Sequence, residues 1–532
     1  MKKKVLLTTI GPNGSANPGI QLALYYLKSY FLKYSPKKNL ADIKIFSFSA
    51  QDKIETIIKD IKKAKPDIIG FCCYVWNILK IIKVARAIKK DLPWIKIMTG
   101  GPEVSPRARR FMKTHKFIDA VVIGEGERTF RELLECWLGN KTDASGVDGL
   151  AIRKNSKIIL TKERSQITDL DEIPSPYLEG HIAEKQIKGR FPYIPTETMR
   201  GCPYRCYYCY YHKDFKKPRY FSLPRVEREL KYLFEKEPNG VYLMDPTFNL
   251  DKKRAKEILR IVVKHNKKSN LHVELKAELL DEEMIDLLKE ARVNFIEIGI
   301  QSTNKETLKL INRHFDPESF KKNVLYLNKR GMPYEVQLID GLPADNYRTL
   351  KKSLDWLFAL RPRNVKIMRF MLLPGTYLRV NACRFGIKYN PKAPYRSIKS
   401  NTFSQKDIKK TMKLRVAMTS LYKSALLKNT MYPLSEKLGI GFSEIFENWN
   451  NWSARNGGVL SANKNKEKDK RVEETMRRLR AVKSINHVSD FVKYICRKYK
   501  KPNMVAELSR VMTGDTEAFL KRLGISRKPW RA

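Results

Sequence analysis

The chain has 532 residues, of which 42% are hydrophobic and 10% aromatic, so it can build packed cores and is not a disordered protein. No stretch reaches the roughly 18 unbroken apolar residues that a membrane span needs, and we expect no span. The formal charge of +49 is typical either of a lysine-rich surface or of a protein with a polyanionic partner such as RNA. We favour the lysine-rich surface, because the basic residues are spread along the chain.

The apolar run Val5–Ile10 behind the basic N-terminus is too short for a secretory signal, so we expect a cytoplasmic protein. In a large cytoplasmic chain, eight cysteines do not indicate a disulfide framework. Three of them fall within eight residues and indicate metal binding. The scattered ones are predicted to be small core residues: Cys72, Cys73, Cys136, Cys383 and Cys496.

Residues 1–145 alternate strand and helix patterns in five successive units, which predicts a doubly wound parallel sheet of the Rossmann-like kind. The run Asp67–Tyr74 is continuously apolar, as expected of a strand buried on both faces. Turn-rich segments at 11–19, 100–102 and 124–126 follow predicted strands. Because ligands bind beyond the carboxyl ends of such strands, we expect a ligand along this edge.

Residues 146–195 are predicted to form a hairpin and a proline-containing linker. Strand and helix patterns alternate again over 196–400, which predicts a second parallel α/β unit curved into a partial β/α barrel. Residues 401–532 form a basic, helix-patterned C-terminal domain without a catalytic motif.

The compact cysteine group has the spacing C-x3-C-x2-C and consists of Cys202, Cys206 and Cys209. Three thiolates on one loop can hold three irons of a [4Fe–4S] cluster and leave the fourth iron open for chemistry. A structural zinc site would need a fourth ligand, which His212 can supply, so Cys3His zinc is the alternative.

At this motif the sequence resembles the radical S-adenosylmethionine (SAM) superfamily, in which an aromatic residue precedes the third cysteine, as Tyr208 does here. The resemblance implies that the cysteines hold the cluster, that the open iron binds SAM, and that SAM is cleaved to a 5′-deoxyadenosyl radical. It also implies that SAM contacts a set of five residues: Tyr208, Asp245, Thr247, Gln301 and Ser302.

Further stretches fit the barrel of that family. Residues 243–249 look like its D-D-x-F pattern, with Pro246 in place of the second aspartate. Residues 298–302 look like its fourth-strand G-x-E-S element, with Gln301 in place of glutamate. The turns at 341–343 and 373–376 resemble its G-L-P and L-P-G-T turns.

The N-terminal region looks like the cobalamin-binding domain of the cobalamin-dependent branch of this family. The resemblance places these residues against cobalamin: Tyr74, Trp76, Asn77, Gly100, Gly101, Pro102, Glu103, Gly124, Glu125, Gly126 and Glu127. The D-x-H-x-x-G motif of other cobalamin proteins is absent, and His115 is the only histidine before the linker. We therefore predict cobalamin without a protein histidine on cobalt.

The resemblance implies an enzyme with a [4Fe–4S] cluster, SAM and cobalamin as cofactors. The leading hypothesis is a methyltransferase that acts on an unactivated carbon through the 5′-deoxyadenosyl radical and methylcobalamin. Alternatives are a non-methylating cyclase, rearrangement or oxidation enzyme, an RNA-modifying radical SAM enzyme, and a non-catalytic cobalamin sensor. Expected partners are an electron donor of the flavodoxin or ferredoxin type and a small-molecule, lipid or peptide substrate, with RNA as the weaker alternative. Beyond the cluster ligands, the sequence identifies no catalytic residue.

Overall fold

The computed structural model describes residues 2–12, 19–139, 143–189, 191–214, 217–423, 425–456, 488–505 and 508. Two α/β units follow one another along the chain, and helices follow them. This arrangement confirms the predicted fold class. Of the predicted turn at 11–19, residues 13–18 lie outside the described residues.

The first unit is built on a seven-stranded sheet with the order β2-β1-β3-β4-β5-β6-β7. Its strands are β1 (Lys3–Ile10), β2 (Ala41–Phe48), β3 (Ile68–Cys72), β4 (Lys96–Gly100), β5 (Ala120–Val122), β6 (Leu150–Lys154) and β7 (Lys157–Leu160). The first five are parallel, as predicted, while the predicted hairpin β6–β7 is antiparallel and continues this sheet beyond β5. The strand order reverses between β1 and β3, so the ligand-binding switch point lies there.

Helices cover both faces of this sheet because its central strands are apolar on both sides. They are α1 (Leu22–Tyr34), α2 (Ile54–Ala64), α3 (Ile78–Asp91), α4 (Ala108–Thr114) and α5 (Gly126–Leu138). Helices α2, α3 and α4 share one hydrophobic core with the sheet, and α1 and α5 share the core on the opposite face.

The second unit contains a six-stranded parallel sheet in which each strand pairs with the next one along the chain. Its strands are β8 (Ile194–Thr196), β11 (Gly240–Leu243), β12 (Asn270–Leu275), β13 (Val293–Gln301), β14 (Tyr334–Asp340) and β15 (Asn364–Arg369). Strands β8 and β15 form the two edges, so the sheet is an open, partial barrel, as predicted. Its shortest strand, β8, has no pattern of its own in the sequence.

Short elements and helices connect these strands. Between β8 and β11 lie β9 (Met199–Arg200) and β10 (Arg219–Tyr220), which pair as an antiparallel ribbon. The helices are α6 (Glu184–Ile187), α7 (Tyr211–Asp214), α8 (Leu223–Glu235), α9 (Lys252–His265), α10 (Glu282–Glu290), α11 (Lys305–Leu310), α12 (Pro317–Lys329), α13 (Tyr347–Ala359) and α14 (Tyr377–Val380).

The C-terminal part is helical where the structure describes it. After the small hairpin of β16 (Lys388–Tyr389) and β17 (Ser397–Lys399), its elements are α15 (Gln405–Lys423), α16 (Ala425–Leu438), α17 (Phe442–Arg455) and a helical run over 488–498. Buried aromatic residues such as Phe446 and Trp449 belong to the same hydrophobic core as the second sheet. Within the described chain, no helix combines the length and the apolar character that crossing a bilayer requires.

Candidate active site

The carboxyl-terminal edges of the two sheets meet. Gly375, in the turn after β15, has a φ of +80°, and a Cβ atom built on it would lie 2.6 Å from Pro106 and 2.6 Å from Tyr210. Pro106 follows β4 of the first sheet, whereas Tyr210 directly follows the third cysteine. The turn at 373–376 therefore lies between the N-terminal ligand edge and the cysteine loop, which we define as residues 201–209.

Backbone hydrogen bonds hold the cysteine loop in place. The Tyr207 N–H donates to the carbonyl of Ile311 at 2.9 Å, and the Leu378 N–H donates to the carbonyl of Tyr207 at 3.1 Å. The side chain of Asn312 donates to the carbonyl of Arg205 at 2.9 Å. Gly201 begins the loop at a φ of +103°, where a Cβ atom would collide with the carbonyl of Lys217. The loop is thus fixed by segments more than 100 residues away in the chain.

The three cysteines are thiols in a largely buried environment. Cys206 is buried, and Cys202 and Cys209 are partly exposed. Burial raises the pKa of Cys202, and it raises the pKa of Cys209 to about 11. Such thiols ionise when a strongly cationic group such as iron binds them. Among the described residues, no three His, Cys, Asp or Glu side chains surround a common point as a single ion would require. A cubane cluster makes no such demand, because each thiolate binds a different iron.

Arg313 lies beside the cysteine loop and was not identified from the sequence. Its Nη1 lies 3.8 Å from the Cys206 sulfur and 3.1 Å from the Tyr208 hydroxyl, while its Nη2 donates to the carbonyl of Gly299. Its Nε is buried without a hydrogen-bond partner, and no described carboxylate lies within ion-pair distance of it. The guanidinium is therefore a cation beside the expected cluster, and its Nε–H can still donate a hydrogen bond to an anion.

A Lys–Glu pair at the end of β12 adds further charge to this region. The Lys276 ammonium lies 4.6 Å from the ring centroid of Tyr204 in the cysteine loop and 3.2 Å from Glu278. Both side chains are less than a tenth exposed, and neither carboxylate oxygen of Glu278 has a hydrogen-bond partner. Like Arg313, these residues match none of the motifs, so proximity in the fold alone reveals them.

Asp245 is expected to contact SAM, but its carboxylate accepts hydrogen bonds from neighbouring protein groups. Its Oδ1 accepts hydrogen bonds from the backbone N–H groups of Thr198 at 2.8 Å and Met199 at 3.1 Å, and its Oδ2 accepts from the Thr198 hydroxyl at 2.5 Å. Burial raises the pKa of Asp245 to about 6. The carboxylate thus fixes the end of β11 to the segment that enters the cysteine loop. Thr247 lies beside Cys202 and donates to the carbonyl of Pro246 at 2.7 Å.

Gln301 and Ser302 lie at the end of β13 as expected, but they differ in availability. Gln301 has a φ of +71°, at a point where the register of β13 against β14 shifts. Its side-chain amide approaches Gly299, close to the Arg313 guanidinium. Ser302 is buried, and its hydroxyl donates to Asp345 at 3.1 Å. Gln301 therefore faces the Arg313 region, whereas the Ser302 hydroxyl stabilises the turn.

At the edge of the first sheet, Tyr74 and Trp76 form a stacked aromatic pair, of which Trp76 is exposed and Tyr74 is partly buried. Their rings are stacked with centroids 4.4 Å apart and planes at 6°, and Trp76 is 41% exposed. Asn77 occupies the N-cap position of α3 without capping it. Instead its amide donates to the carbonyls of Ile10 and Cys72, and its oxygen accepts from the Tyr74 N–H at 2.8 Å. These hydrogen bonds of Asn77 thus fix the backbone that carries Tyr74 and Trp76 to the ends of β1 and β3.

The predicted glutamates of this edge are all engaged in contacts with the second unit. Glu103 accepts hydrogen bonds from Arg107 and from the Tyr395 hydroxyl. Glu125 and Glu127 pair with arginines of the β9–β10 ribbon. Their carboxylates join the two units, a role for which the sequence alone gives no signal. Gly124 has a φ of +74°, and Gly126 begins α5.

Gly100 ends β4, and Gly101 and Pro102 follow it in the turn towards α4. The two glycines allow a matched pair of alanine substitutions that tests whether this turn requires glycine. A Cβ atom on Gly101, at a φ of +102°, would lie 2.7 Å from the carbonyl oxygen of Cys73, whereas one on Gly100 would meet nothing closer than 3.5 Å. We expect Gly101→Ala to lower the free energy of unfolding by about 3 kcal/mol and Gly100→Ala by less than about 0.5 kcal/mol. Urea denaturation of both variants measures the difference, and equal effects would contradict the strained turn.

Cys383 corrects one expectation. The sequence predicted a core residue, but Cys383 is exposed, just beyond α14. In the segment after that helix the neighbouring Ala382 and Ile387 are the residues that enter the core, and Cys383 lies on the opposite, solvent-facing side of the turn. The other scattered cysteines are buried or partly buried.

These features fit the three cofactors that the sequence implied. The thiols lie on one loop next to the Arg313 guanidinium, which contacts the Tyr208 hydroxyl, and the Lys276 ammonium lies over the Tyr204 ring of the same loop. The opposing edge offers open space beside the Gly124 backbone and an aromatic pair in which Trp76 is exposed. Large planar ligands favour such surfaces, since glycine lets the backbone approach and aromatic rings supply contact area.

Comparison with known proteins agrees with this reading. A model of the radical SAM superfamily matches residues 196–357, and a model of the B12 binding domain matches residues 17–134. The cobalamin-dependent radical SAM methyltransferase TokK of Streptomyces tokunonensis is 25% identical over 347 residues, which cover 62% of this chain and 51% of TokK. An uncharacterized methyltransferase of Pyrococcus horikoshii is 28% identical over 390 residues, which cover 71% of this chain and 83% of that protein.

The likeness extends to a solved structure. OxsB, a cobalamin-dependent SAM radical enzyme solved with aqua-cobalamin and SAM bound, has a TM-score of 0.64 at 16% identity, covering 98% of this chain and 80% of that chain. At this identity the likeness shows the fold. The chain spans about half the length of TokK, 51%.

The fold defines an α/β protein that joins a cobalamin-type N-terminal sheet to a partial β/α barrel. The chain carries a radical SAM domain over residues 196–357 and, in front of it, a B12 binding domain over residues 17–134. This confirms the resemblance seen in the motifs and the three cofactors expected from it: a [4Fe–4S] cluster, SAM and cobalamin.

Proposed function

We propose that this protein is a cobalamin-dependent radical SAM methyltransferase that methylates an unactivated carbon of a small molecule. The observation that carries the proposal is the meeting of the two ligand edges at Gly375, between Pro106 and Tyr210. A methyl group held on one cofactor must meet a substrate carbon activated by the other, so the two sites must face one another. TokK and the Pyrococcus horikoshii protein, both methyltransferases by name, support the same reaction class.

In this proposal Cys202, Cys206 and Cys209 hold the cluster. When bound, the cluster supplies the electron that cleaves SAM, and cobalamin carries the methyl group. Arg313 binds the carboxylate of SAM, since its Nε is buried without a partner next to Cys206. Glu278 accepts from the ammonium of SAM beside its ion pair with Lys276, since neither of its oxygens accepts a hydrogen bond from the described protein, a role that the internally bonded Asp245 does not fill.

Tyr208 and Thr247 border the same space, because Tyr208 contacts Arg313 and Thr247 contacts Cys202. On the opposite side, the exposed ring of Trp76, stacked on Tyr74, provides the surface for the corrin ring.

The proposal also includes the compartment, the electron donor and the domain division of the protein. We place the protein in the cytoplasm, a reducing compartment that keeps its cysteines reduced. An electron donor of the flavodoxin or ferredoxin type supplies the electron. We divide the chain into a cobalamin-binding domain (1–145), a hairpin and linker (146–195), a radical SAM domain (196–400) and a helical domain (401–532).

Methyl-labelled SAM tests the reaction. The protein loaded with cluster and cobalamin is incubated under reducing, oxygen-free conditions with SAM carrying a 13C methyl group and a small-molecule extract of cells. We expect the label in a product, together with S-adenosylhomocysteine and 5′-deoxyadenosine in about equal amounts, because methylation of an unactivated carbon consumes one SAM for each role. Formation of 5′-deoxyadenosine alone, with no labelled product, would support a non-methylating enzyme instead.

A further inference from the structure

A buried ion cluster connects the ligand edge of the first sheet to the base of the cysteine loop. Arg200, two residues before Cys202, lies at its centre. Its Nη1 is 3.2 Å from Glu125 and 2.8 Å from Glu127, and its Nε is 2.9 Å from Glu197. The side chains of Arg200, Glu125 and Glu127 are each 7% exposed or less.

A second arginine, ten residues beyond the cysteine loop, approaches the same carboxylate. The Nη2 of Arg219 is 2.8 Å from one oxygen of Glu125, and its Nη1 donates to the other oxygen at 3.0 Å. Arg219 and Arg200 are direct partners in the β9–β10 ribbon. Like charges directly opposite in a ribbon repel each other, so the pair depends on the carboxylate that bridges it.

The two arginines flank the cysteine loop in the chain, and both contact one turn of the first unit. Arg200 is the last residue before the cysteine loop, and Arg219 is the first residue of the returning strand. Glu125 and Glu127 flank Gly126 at the start of α5, beyond the carboxyl end of β5. Tyr26 of α1 adds a third contact from the first unit, with its ring centroid 5.2 Å from the Arg200 guanidinium.

Removing one partner of a buried, hydrogen-bonded ion pair is strongly destabilising because it leaves the other charge buried and unpaired, so such contacts resist separation. Bidentate pairing of arginine with carboxylate also fixes direction, because the planar fork of the guanidinium matches the two oxygens. Glu125 and Arg219 make such a two-oxygen contact. The group therefore constrains both the distance and the orientation of the cysteine loop relative to the N-terminal edge.

We propose that Arg200, Arg219, Glu125 and Glu127 are positioning residues that hold the cysteine loop at a fixed distance from the cobalamin edge. This inference rests on the proposed function only in that the two edges carry the cluster and cobalamin. It assigns Glu125 and Glu127 to the junction between the units rather than to contact with the corrin. Removing these ion pairs broadens the distribution of distances between the two cofactors, while each cofactor still binds.

The distance between the cofactors is measurable, because cob(II)alamin and the reduced [4Fe–4S] cluster are both paramagnetic. The variants are Glu125→Gln and Arg200→Lys, and the matched control is Glu132→Gln, which removes the Glu132–Arg164 ion pair within the first unit. Pulsed electron paramagnetic resonance on the fully loaded protein gives the distance distribution. We expect both variants to broaden it at least twofold, with iron and cobalt contents unchanged, and the control to leave it as in the wild type.

An unchanged distribution in both variants at full cofactor content would overturn the positioning role. Loss of cobalt from Glu125→Gln with iron retained would overturn it too, because the carboxylate would then be a cobalamin contact. If the wild type itself binds no cobalamin, the proposed function fails, and this inference is tested separately on the unloaded protein.

Hydrogen–deuterium exchange provides that separate test, since it needs no cofactor. We expect Glu125→Gln to speed exchange about tenfold, both in the β9–β10 ribbon and at the start of α5, because one opening event frees both. Glu132→Gln should leave the ribbon unaffected. Exchange in the ribbon that stays at the wild-type rate in Glu125→Gln would show that the junction does not hold the loop.

Discussion

Replacing Cys206 by alanine should reduce the iron content of the anaerobically purified protein from about four atoms per chain to less than one, and SAM cleavage should fall by at least about a thousandfold. Cys206 is the most buried of the three cysteines and is the one that Arg313 approaches. A cubane that loses one of only three protein ligands is left with two anchored irons. Iron and sulfide analysis together with the formation of 5′-deoxyadenosine measures the effect.

Cys383→Ala is the matched control for this change, because Cys383 is an exposed thiol outside the cysteine loop. It should keep both the iron and the cleavage activity of the wild type. Circular dichroism distinguishes loss of the cluster from loss of the fold. A Cys206→Ala protein that retained four irons would show that the loop does not hold the cluster.

Replacing Arg313 by methionine should raise the dissociation constant of SAM about a hundredfold, because truncating one partner of a close, desolvated charge pair costs about 2–5 kcal/mol. Methionine keeps much of the volume of the side chain while removing the charge. Its sulfur also avoids a new cavity beside Gly299, whose carbonyl accepts from the guanidinium. Equilibrium binding of SAM to the cluster-loaded protein measures the change.

Arg313→Lys keeps the cation but loses the fork, so it should recover part of the affinity. Iron content must be compared in both variants, since Arg313 also lies 3.8 Å from the Cys206 sulfur. SAM affinity that stays at the wild-type value in Arg313→Met with full iron would place the carboxylate of SAM elsewhere. Loss of iron in both variants would instead make Arg313 a support of the cluster loop.

Local patterns were enough to predict the sheets and the cysteine loop. The continuous apolar run that becomes β3 indicated a strand buried on both faces, and helices do cover both faces there. The spacing of the three cysteines identified the loop because all of its ligands lie within eight residues. By contrast, β8 is only three residues long and gains its place by pairing with β11.

The sequence did not predict the roles of residues whose contacts lie far away along the chain. Arg313 contacts Cys206 across 107 positions, and Glu125 meets Arg219 across 94. No periodicity or motif encodes such pairs, because tertiary packing alone brings them together. For Asp245, the motif predicted the position just beyond β11 but not the contacts. Its carboxylate accepts hydrogen bonds from the backbone N–H groups of Thr198 and Met199.

The metal and cofactor content of the protein tests the central claim most directly. The protein is purified without oxygen, supplied with cobalamin, and analysed for iron, sulfide, cobalt and zinc alongside its ultraviolet–visible spectrum. We expect about four irons, four sulfides and one cobalt per chain. Iron without cobalt would remove methyl transfer through cobalamin, and zinc in place of iron would contradict the account from the cysteine loop onward.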